Sequence, residues 1–149
     1  MNTQFGTIDD LDSWMALVEE IAWNFPGLER DEDIAGYRQT AEKFMGKRQA
    51  LCVKEDGAVI GVLLFSRNRN MICCLGVSPE HRRRGIASAL LKKALSELDP
   101  HRDVTVSTFV ESDPRGEAPR ALYRQFGFQA GDLTDAYGCP NQIFLRKAN

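Results

Sequence analysis

The stretch VSPEHRRRGIA, Val77–Ala87, decides how the rest of the chain is read. An apolar, strand-like run ends at Val77. Pro79 has no N–H and cannot extend a ladder. From Arg84-Gly85-Ile86-Ala87-Ser88 onward the pattern turns helical. The first N–H groups of such a helix have no intrahelical partners, and the small Gly85, Ala87 and Ser88 leave that backbone approachable. Arg82, Arg83 and Arg84 put three cations at the helix end whose dipole favours an anion. Two readings are open. The arginines are a solvated cluster, or free donors, dipole and cations together cradle a phosphate-like group. The stretch is neither a GxxxxGK[ST] loop nor GxGxxG.

Outward from this stretch the periodicity changes several times. Downstream, Ala87, Leu90, Leu91, Ala94, Leu95 and Leu98 form a helical stripe that Asp99-Pro100 ends. Upstream lie three strand-like runs, ALCVKE, AVIGVLLFS and MICCLGV, with Asp56-Gly57 as a hairpin signal between the first two. Before them, residues 3–8 read as a short strand. Asp9 to Trp23 reads as an amphipathic helix capped by Asp9 or Asp10. Pro26 and Gly27 break it, and a second helix runs from about Glu32 to Met45, stopped by Gly46. After the central helix come a strand, VTVSTFV, and a short helix in APRALYRQFGF with Pro119 in its first turn and Gly127 past its end. Weaker strands follow at Phe128–Gly131 and Gln142–Arg146. The whole predicts one α+β domain over residues 1–149, with a mostly antiparallel sheet and a crossover helix.

Charge is unevenly spread. Residues 1–33 hold nine acids against one base, Arg30, a net of −8; with −2 overall, the rest of the chain carries +6. A wholly basic nucleic-acid binder is excluded, and the split suggests two faces with different partners. Of the four cysteines none forms CxxC, and with two histidines no metal-ligand spacing exists. Cys73 and Cys74, adjacent in a strand, are expected on opposite faces as small buried hydrophobes. No secretory leader and no run of the ~18 apolar residues a membrane span needs is seen, so a reduced cytoplasmic setting is expected.

Two motifs now bear on identity. V-x-P-x-x-R-x-x-G-x-A, filled by Val77, Pro79, Arg82, Gly85 and Ala87, resembles the acetyl-CoA motif of the GNAT superfamily of N-acetyltransferases. ALYRQFGF, Ala121–Phe128, resembles a later segment of that family carrying L-Y-x-x-x-G-F. The two occur in the family's order, one helix and one strand apart. The resemblance implies an α/β/α sandwich-like fold with a mixed sheet of about six or seven strands, two N-terminal helices, a pyrophosphate-binding central helix and a short C-terminal helix. It implies acetyl-CoA as co-substrate, no metal, and direct transfer to a primary amine of a small molecule or peptide. Backbone amides from Arg82 through Arg83, Arg84, Gly85, Ile86 and Ala87 to Ser88 would hold the pyrophosphate, with Arg82 and then Arg83 or Arg84 adding charge. Arg83 stands where relatives often have glycine, which marks it as the surface charge of the three. Leu75, Gly76 and Val77 would pair with the pantetheine arm, and an amide at Gly76 or Val77 would polarise the thioester carbonyl. A glycine inside a strand also often marks a bulge or close approach. Tyr123 would protonate the departing thiolate.

Some family features are missing. The motif strand MICCLGV has no carboxylate, so Glu111, just after VTVSTFV, is the candidate base through a water, while Glu80 is expected to face solvent. ESDPRGEAPR lacks the Asn often found before the last helix. The acceptor would meet Trp23, Phe25, Glu29 and Tyr137, with Asp31 or Asp33 helping to draw in a cation. Cys73 and Cys74 have no histidine nearby, so no acyl-enzyme is expected. The rival readings are a non-catalytic module that senses CoA esters and a nucleic-acid binder using Arg82–Arg84, Lys92 and Lys93. Neither a nucleic-acid nor a membrane partner is expected; a monomer or homodimer is.

Overall fold

The computed structural model describes residues 2–24, 28, 30–136 and 139–149. In chain order the elements are β1 (Thr3–Phe5), α1 (Leu11–Ile21), α2 (Asp31–Gly46), β2 (Ala50–Glu55), β3 (Ala58–Ser66), β4 (Met71–Val77), α3 (Ile86–Glu97), β5 (Val104–Phe109), α4 (Glu117–Gln125), β6 (Gln129–Ala136) and β7 (Cys139–Arg146). The strands form one mixed sheet in the order β1-β2-β3-β4-β5-β7-β6. Only β4 and β5 pair in parallel, as the α3 crossover between them requires. No described helix is long and apolar enough to cross a membrane.

Strand alternation divides the core into two layers. Leu51, Val53, Leu63, Phe65 and Ile72 pack with α3 and α4. Ala50, Cys52, Val62 and Leu64 face the other way and pack with α1 and α2. The result is an α/β/α sandwich. Trp14, Leu90 and Leu91 are fully enclosed, and each such side chain contributes roughly 1.5–3 kcal/mol relative to exposure.

One irregularity resets that alternation. Leu64 pairs with Cys74, but Phe65 pairs with Ile72, leaving Cys73 as the extra residue of a β-bulge. Cys73 and Cys74 therefore both pack toward the α1/α2 layer, not on opposite faces as simple alternation predicts. Beyond the bulge Leu75 and Val77 face the α3/α4 layer. Gly76, a candidate bulge from sequence, pairs in register with Val62.

Local signals behave as their chemistry dictates. Asp56 and Gly57 take φ of 53° and 81° at the β2–β3 turn, the left-handed pair that a tight hairpin needs. α1 is preceded by a short 3₁₀ turn, Ile8–Asp10, and the buried Asp10 turns back to accept from the Thr7 N–H at 2.9 Å. Lys54 Nζ lies 2.6 Å from the same carboxylate. Strand β1 thus stops at Phe5, because Thr7 serves the helix instead. β6 and β7 extend far past their expected ends. Asp132, Asp135, Pro140 and Asn141 have poor strand propensity, yet pairing from Thr134↔Asn141 to Ala136↔Cys139 carries the hairpin on; tertiary pairing overrides propensity there.

Candidate functional site

β4 and β5 pair only at Met71↔Thr105. Beyond it β5 keeps β7 as a neighbour, from Val104↔Arg146 to Phe109↔Asn141. β4 keeps β3 as far as Val77↔Gly61. The sheet therefore opens as a V toward Val77 and Phe109, and the Leu75–Val77 edge facing the V has no strand beside it. Unpaired backbone groups at such an edge are a template for another extended chain.

The start of α3 lies just past the end of β4. Arg83 and Gly85 have φ of 65° and 77°. Left-handed residues flanking Arg84 turn neighbouring amides into the concave arrangement that binds anions. Gly85 is the helix cap and supplies no side-chain bond to the first turn. The first intrahelical bond runs from Ala89 N to Gly85 O at 3.0 Å, so the amides of Ile86, Ala87 and Ser88 precede it. A Cβ on Gly85 would meet nothing within 4 Å, so the approach is open.

The three arginines divide. Arg84 Nη2 donates to Glu55 Oε1 at 2.8 Å, while His81 Nε2 lies 2.6 Å from Glu55 Oε2. His81 Nδ1 is in turn 3.1 Å from Ser78 Oγ. The Arg84 guanidinium, then His81, holds the Glu55 carboxyl below its ordinary value. Arg82 and Arg83 are exposed and pair with none of the described residues.

On the other wall, α4 carries Tyr123, 4% exposed. Its ring packs at 5.7 Å from Phe128 and 6.1 Å from Phe144. Burial, and then the Cys74 sulfur, push its phenol far above the ordinary value, and no hydrogen bond from a described residue contributes. Tyr123 belongs to the α3/α4 layer and Cys74 to the α1/α2 layer. Cys74 Sγ lies 3.3 Å from Tyr37 Oη on α2, and that oxygen accepts from Trp14 Nε1 at 3.0 Å. Burial pushes the Cys74 thiol up to about 12 and the Tyr37 phenol well up, so all three groups keep their protons at neutral pH.

Sequence reasoning missed Tyr37, although Ile34, Tyr37, Ala41 and Phe44 mark the packed stripe of α2. It also missed Arg120, one turn before Tyr123. This guanidinium is 4% exposed, donates to Phe109 O at 3.2 Å and to Gln142 Oε1 at 2.7 Å, and lies over the Phe144 ring. It clasps α4 to the ends of β5 and β7.

The other expected residues scatter. Glu111 is exposed in the turn after β5, at the open end of the V, and Glu80 is exposed in the turn before α3. Trp23 is 61% exposed at the end of α1. Phe25, Glu29 and Tyr137 lie outside the described residues. Asp31 lines a groove of about 530 Å³ between α1 and α2, with Met15, Glu19, Ile34, Ala35 and Arg38, whereas Asp33 is held by Arg30 at 3.1 Å.

A split mixed sheet sandwiched between helix pairs is the architecture of an acyltransferase class. Comparison with known proteins gives it a family: the chain belongs to the acetyltransferase (GNAT) family, whose model matches residues 10–128. An acetyltransferase of that family from Bacillus cereus ATCC 10987 has a structure similar over 99% of this chain and 97% of its own, with TM-score 0.76 and 28% identity. The PaiA N-acetyltransferase of Thermoplasma acidophilum, solved with coenzyme A, shares the fold at TM-score 0.75 and 18% identity, over 98% of each chain. A ribosomal-protein-alanine N-acetyltransferase from Brucella melitensis shares it at 0.76 and 18%, over 99% of each chain. Among curated sequences, the UPF0157 protein YqkA of Bacillus subtilis (strain 168) is 29% identical over 107 residues. Those residues are 70% of this chain and 28% of YqkA, so the chain spans under a third of that relative.

Proposed function

We propose that this chain transfers an acetyl group from acetyl-CoA to a primary amine, with both substrates bound at once. The observation that carries the reading is the arrangement of three features: an uncapped, basic helix start, the unpaired Leu75–Val77 strand edge just before it, and a buried tyrosine in the core layer against which that edge packs. The residues suit an elongated anionic thioester. The Ile86–Ser88 amides, with Arg82 beside them, would take the pyrophosphate, and Arg83 would stay a surface charge. The Leu75–Val77 edge would take the amide-bearing arm. Acetyl-CoA supplies an activated acyl group whose leaving group is a thiolate.

The chain's own groups then have separate tasks. An N–H on the β4 edge donates to the acyl oxygen, where charge develops. Tyr123, fully protonated, offers its proton to the departing sulfur. The dry surroundings that raise its phenol also raise the basicity of a thiolate beside it, so transfer is less uphill than in water. Glu111, at the open end of the V, takes the amine's proton through solvent. The structural neighbour solved with coenzyme A supports such a cofactor in this fold.

The test is a thiol-release assay with acetyl-CoA and a panel of amines, run on wild type and Tyr123→Phe. The substitution keeps the ring packing and removes only the acid. The expected outcome is a fall in kcat of about a hundredfold with the KM for acetyl-CoA nearly unchanged. Equal kcat would remove Tyr123 from the chemistry. A second reading, a CoA-ester sensor, is favoured by one feature: β4 has no carboxylate, and the groups it and α2 present, Cys74 and Tyr37, are held protonated. Stabilisation by acetyl-CoA with no thiol release across the panel would select it.

A further inference from the structure

β5, β7 and β6 end together at the open side of the V. Phe109 pairs with Asn141, and Asn141 pairs with Thr134. Pro140 pairs with Asp135. Phe109, Asn141 and Thr134 thus form one row across three neighbouring strands, and Val110 follows directly after β5. Val110, Pro140 and Asp135, with Leu133, Thr134 and Asn141, line a groove of about 360 Å³. Its walls are apolar at Val110, Leu133 and Pro140, and Asp135 supplies the one charge among its described lining residues. Leu133 is 71% exposed, an aliphatic side chain left in water beside an acid. Arg115, in the loop after Val110, is held by Asp113 at 2.7 Å and stacks over Phe109. It also donates to the Trp23 carbonyl at 3.5 Å, which ties the end of α1 to this mouth.

We propose that this groove binds the distal part of the acceptor, and that the acceptor is a long alkyl diamine or polyamine. The proposal rests on the transferase reading for the end that reacts. The reacting amine enters the V at Val110. Its methylene chain lies along Val110, Pro140 and Leu133. A second ammonium meets Asp135. Two strand spacings separate the end of β5 from β6 at this groove, about 10 Å, the reach of a chain of about eight methylenes. Short diamines cannot span this distance. A monoamine of equal length gains the apolar wall without the ion pair, and a carboxylate in place of the distal ammonium is repelled by Asp135. The acidic first third of the chain adds long-range attraction for a dication.

Two measurements test this on the full chain, with ethylenediamine, diaminobutane, diaminooctane (amines at both ends) and octylamine as probes. In the thiol-release assay kcat/KM is expected to rise along the diamine series. Diaminooctane should exceed octylamine by about fivefold at low salt, the range of an exposed ion pair, and the advantage should shrink at high salt. Asp135→Asn should erase that advantage, leaving octylamine and the KM for acetyl-CoA unchanged. Leu133→Ser should weaken both long amines. Both residues are exposed, so the fold is not at risk. In the second measurement diaminooctane should shift the backbone amides of Leu133, Thr134, Asp135 and Asn141, with no such shifts in Asp135→Asn. Ethylenediamine matching diaminooctane, or Asp135→Asn behaving as wild type, overturns the proposal. Amide shifts at the groove without thiol release would support the groove and remove the transferase reading instead.

Discussion

Arg83 is the residue at which a backbone argument and a charge argument separate, and Arg83→Gly measures the first. Its φ of 65° lies in the left-handed region, which costs an L side chain about 1–2 kcal/mol. The side chain is exposed and pairs with none of the described residues, so removing it loses no folded-state contact. Glycine relieves the strain but gives the unfolded chain more freedom, a loss of about 0.5–1 kcal/mol. The net expectation is a gain of about 0.5–1 kcal/mol. For a chain of this size that raises Tm by about 1–4 °C. Arg83→Ala is the control, since it removes the same charge and keeps the strain; its stability should match wild type. Urea unfolding and thermal melts of the three proteins read the difference. Arg83→Ala as stable as Arg83→Gly would refute the backbone argument and assign any gain to lost charge repulsion among the arginines. Titration with CoA reads the charge separately. Both Arg83 variants should bind within about twofold of wild type, whereas Arg82→Ala should bind at least about tenfold more weakly, the scale of a charged hydrogen bond.

Other expectations come from the neighbouring geometry. Glu55 has its folded pKa lowered by Arg84 and then His81. Its contribution to stability is fully present above the unfolded carboxyl value of 4.5 and fades as pH falls through the lower folded value. Melts of wild type and Glu55→Gln should therefore differ at pH 6–7 and converge as the pH falls below the lowered folded value; a constant gap would refute the ion-pair account. If Arg84 acts only through Glu55, adding Arg84→Gln to Glu55→Gln should leave CoA affinity unchanged, and a further loss would make Arg84 a direct phosphate ligand. Gly61→Ala would set a Cβ 2.6 Å from Ile86 Cγ2 and 3.1 Å from Leu90 Cδ1. Overpacking of this kind costs about 1–3 kcal/mol, and because Ile86 opens α3, CoA binding should weaken with it. Unchanged melting and affinity would show that α3 can shift away freely.

The fold was legible where one signal dominated. The stripe of α3, the Asp56-Gly57 turn and the apolar β2–β4 runs each pointed to one kind of element, and the structure follows them closely in type and bounds. The β6–β7 hairpin was not legible at its outer half. Its pairing partners, not the propensities of Asp135, Pro140 and Asn141, hold it extended. For the site, the Val77–Ala87 stretch pointed to the uncapped helix start, since small residues and orphan amides are local facts. Tyr37 and Arg120 were hidden because their roles depend on long-range neighbours. Cys74 meets Tyr37 across 37 positions in the chain, and Arg120 reaches Phe109 and Gln142 on two different strands.

The bulge at Cys73 shows most plainly why a local pattern could not suffice. Alternation along MICCLGV from Ile72 would put Cys74, Gly76 and the α3/α4 layer on one side. One extra residue reverses this. It sends Leu75 and Val77 toward α3 and α4, where they anchor the strand end that leads into the arginine turn. It also turns Cys74 toward Tyr37. The parity of β4 past the bulge thus decides which groups meet at the V. A one-residue deletion at Cys73 should remove the bulge while keeping Leu64↔Cys74 and Phe65↔Ile72, so Leu75 and Val77 keep the α3/α4 layer. A one-residue insertion between Cys74 and Leu75 would instead make every side chain beyond it exchange faces; Leu75 and Val77 would lose that layer, and the turn they anchor would lose its support. The same insertion within the adjacent turn at Asn68 would leave the parity of β4 intact. CoA binding retained by the deletion and by the turn insertion, but abolished by the β4 insertion, is the outcome that this reasoning demands; equal loss in both insertions would mean that loop length, not strand parity, sets the site.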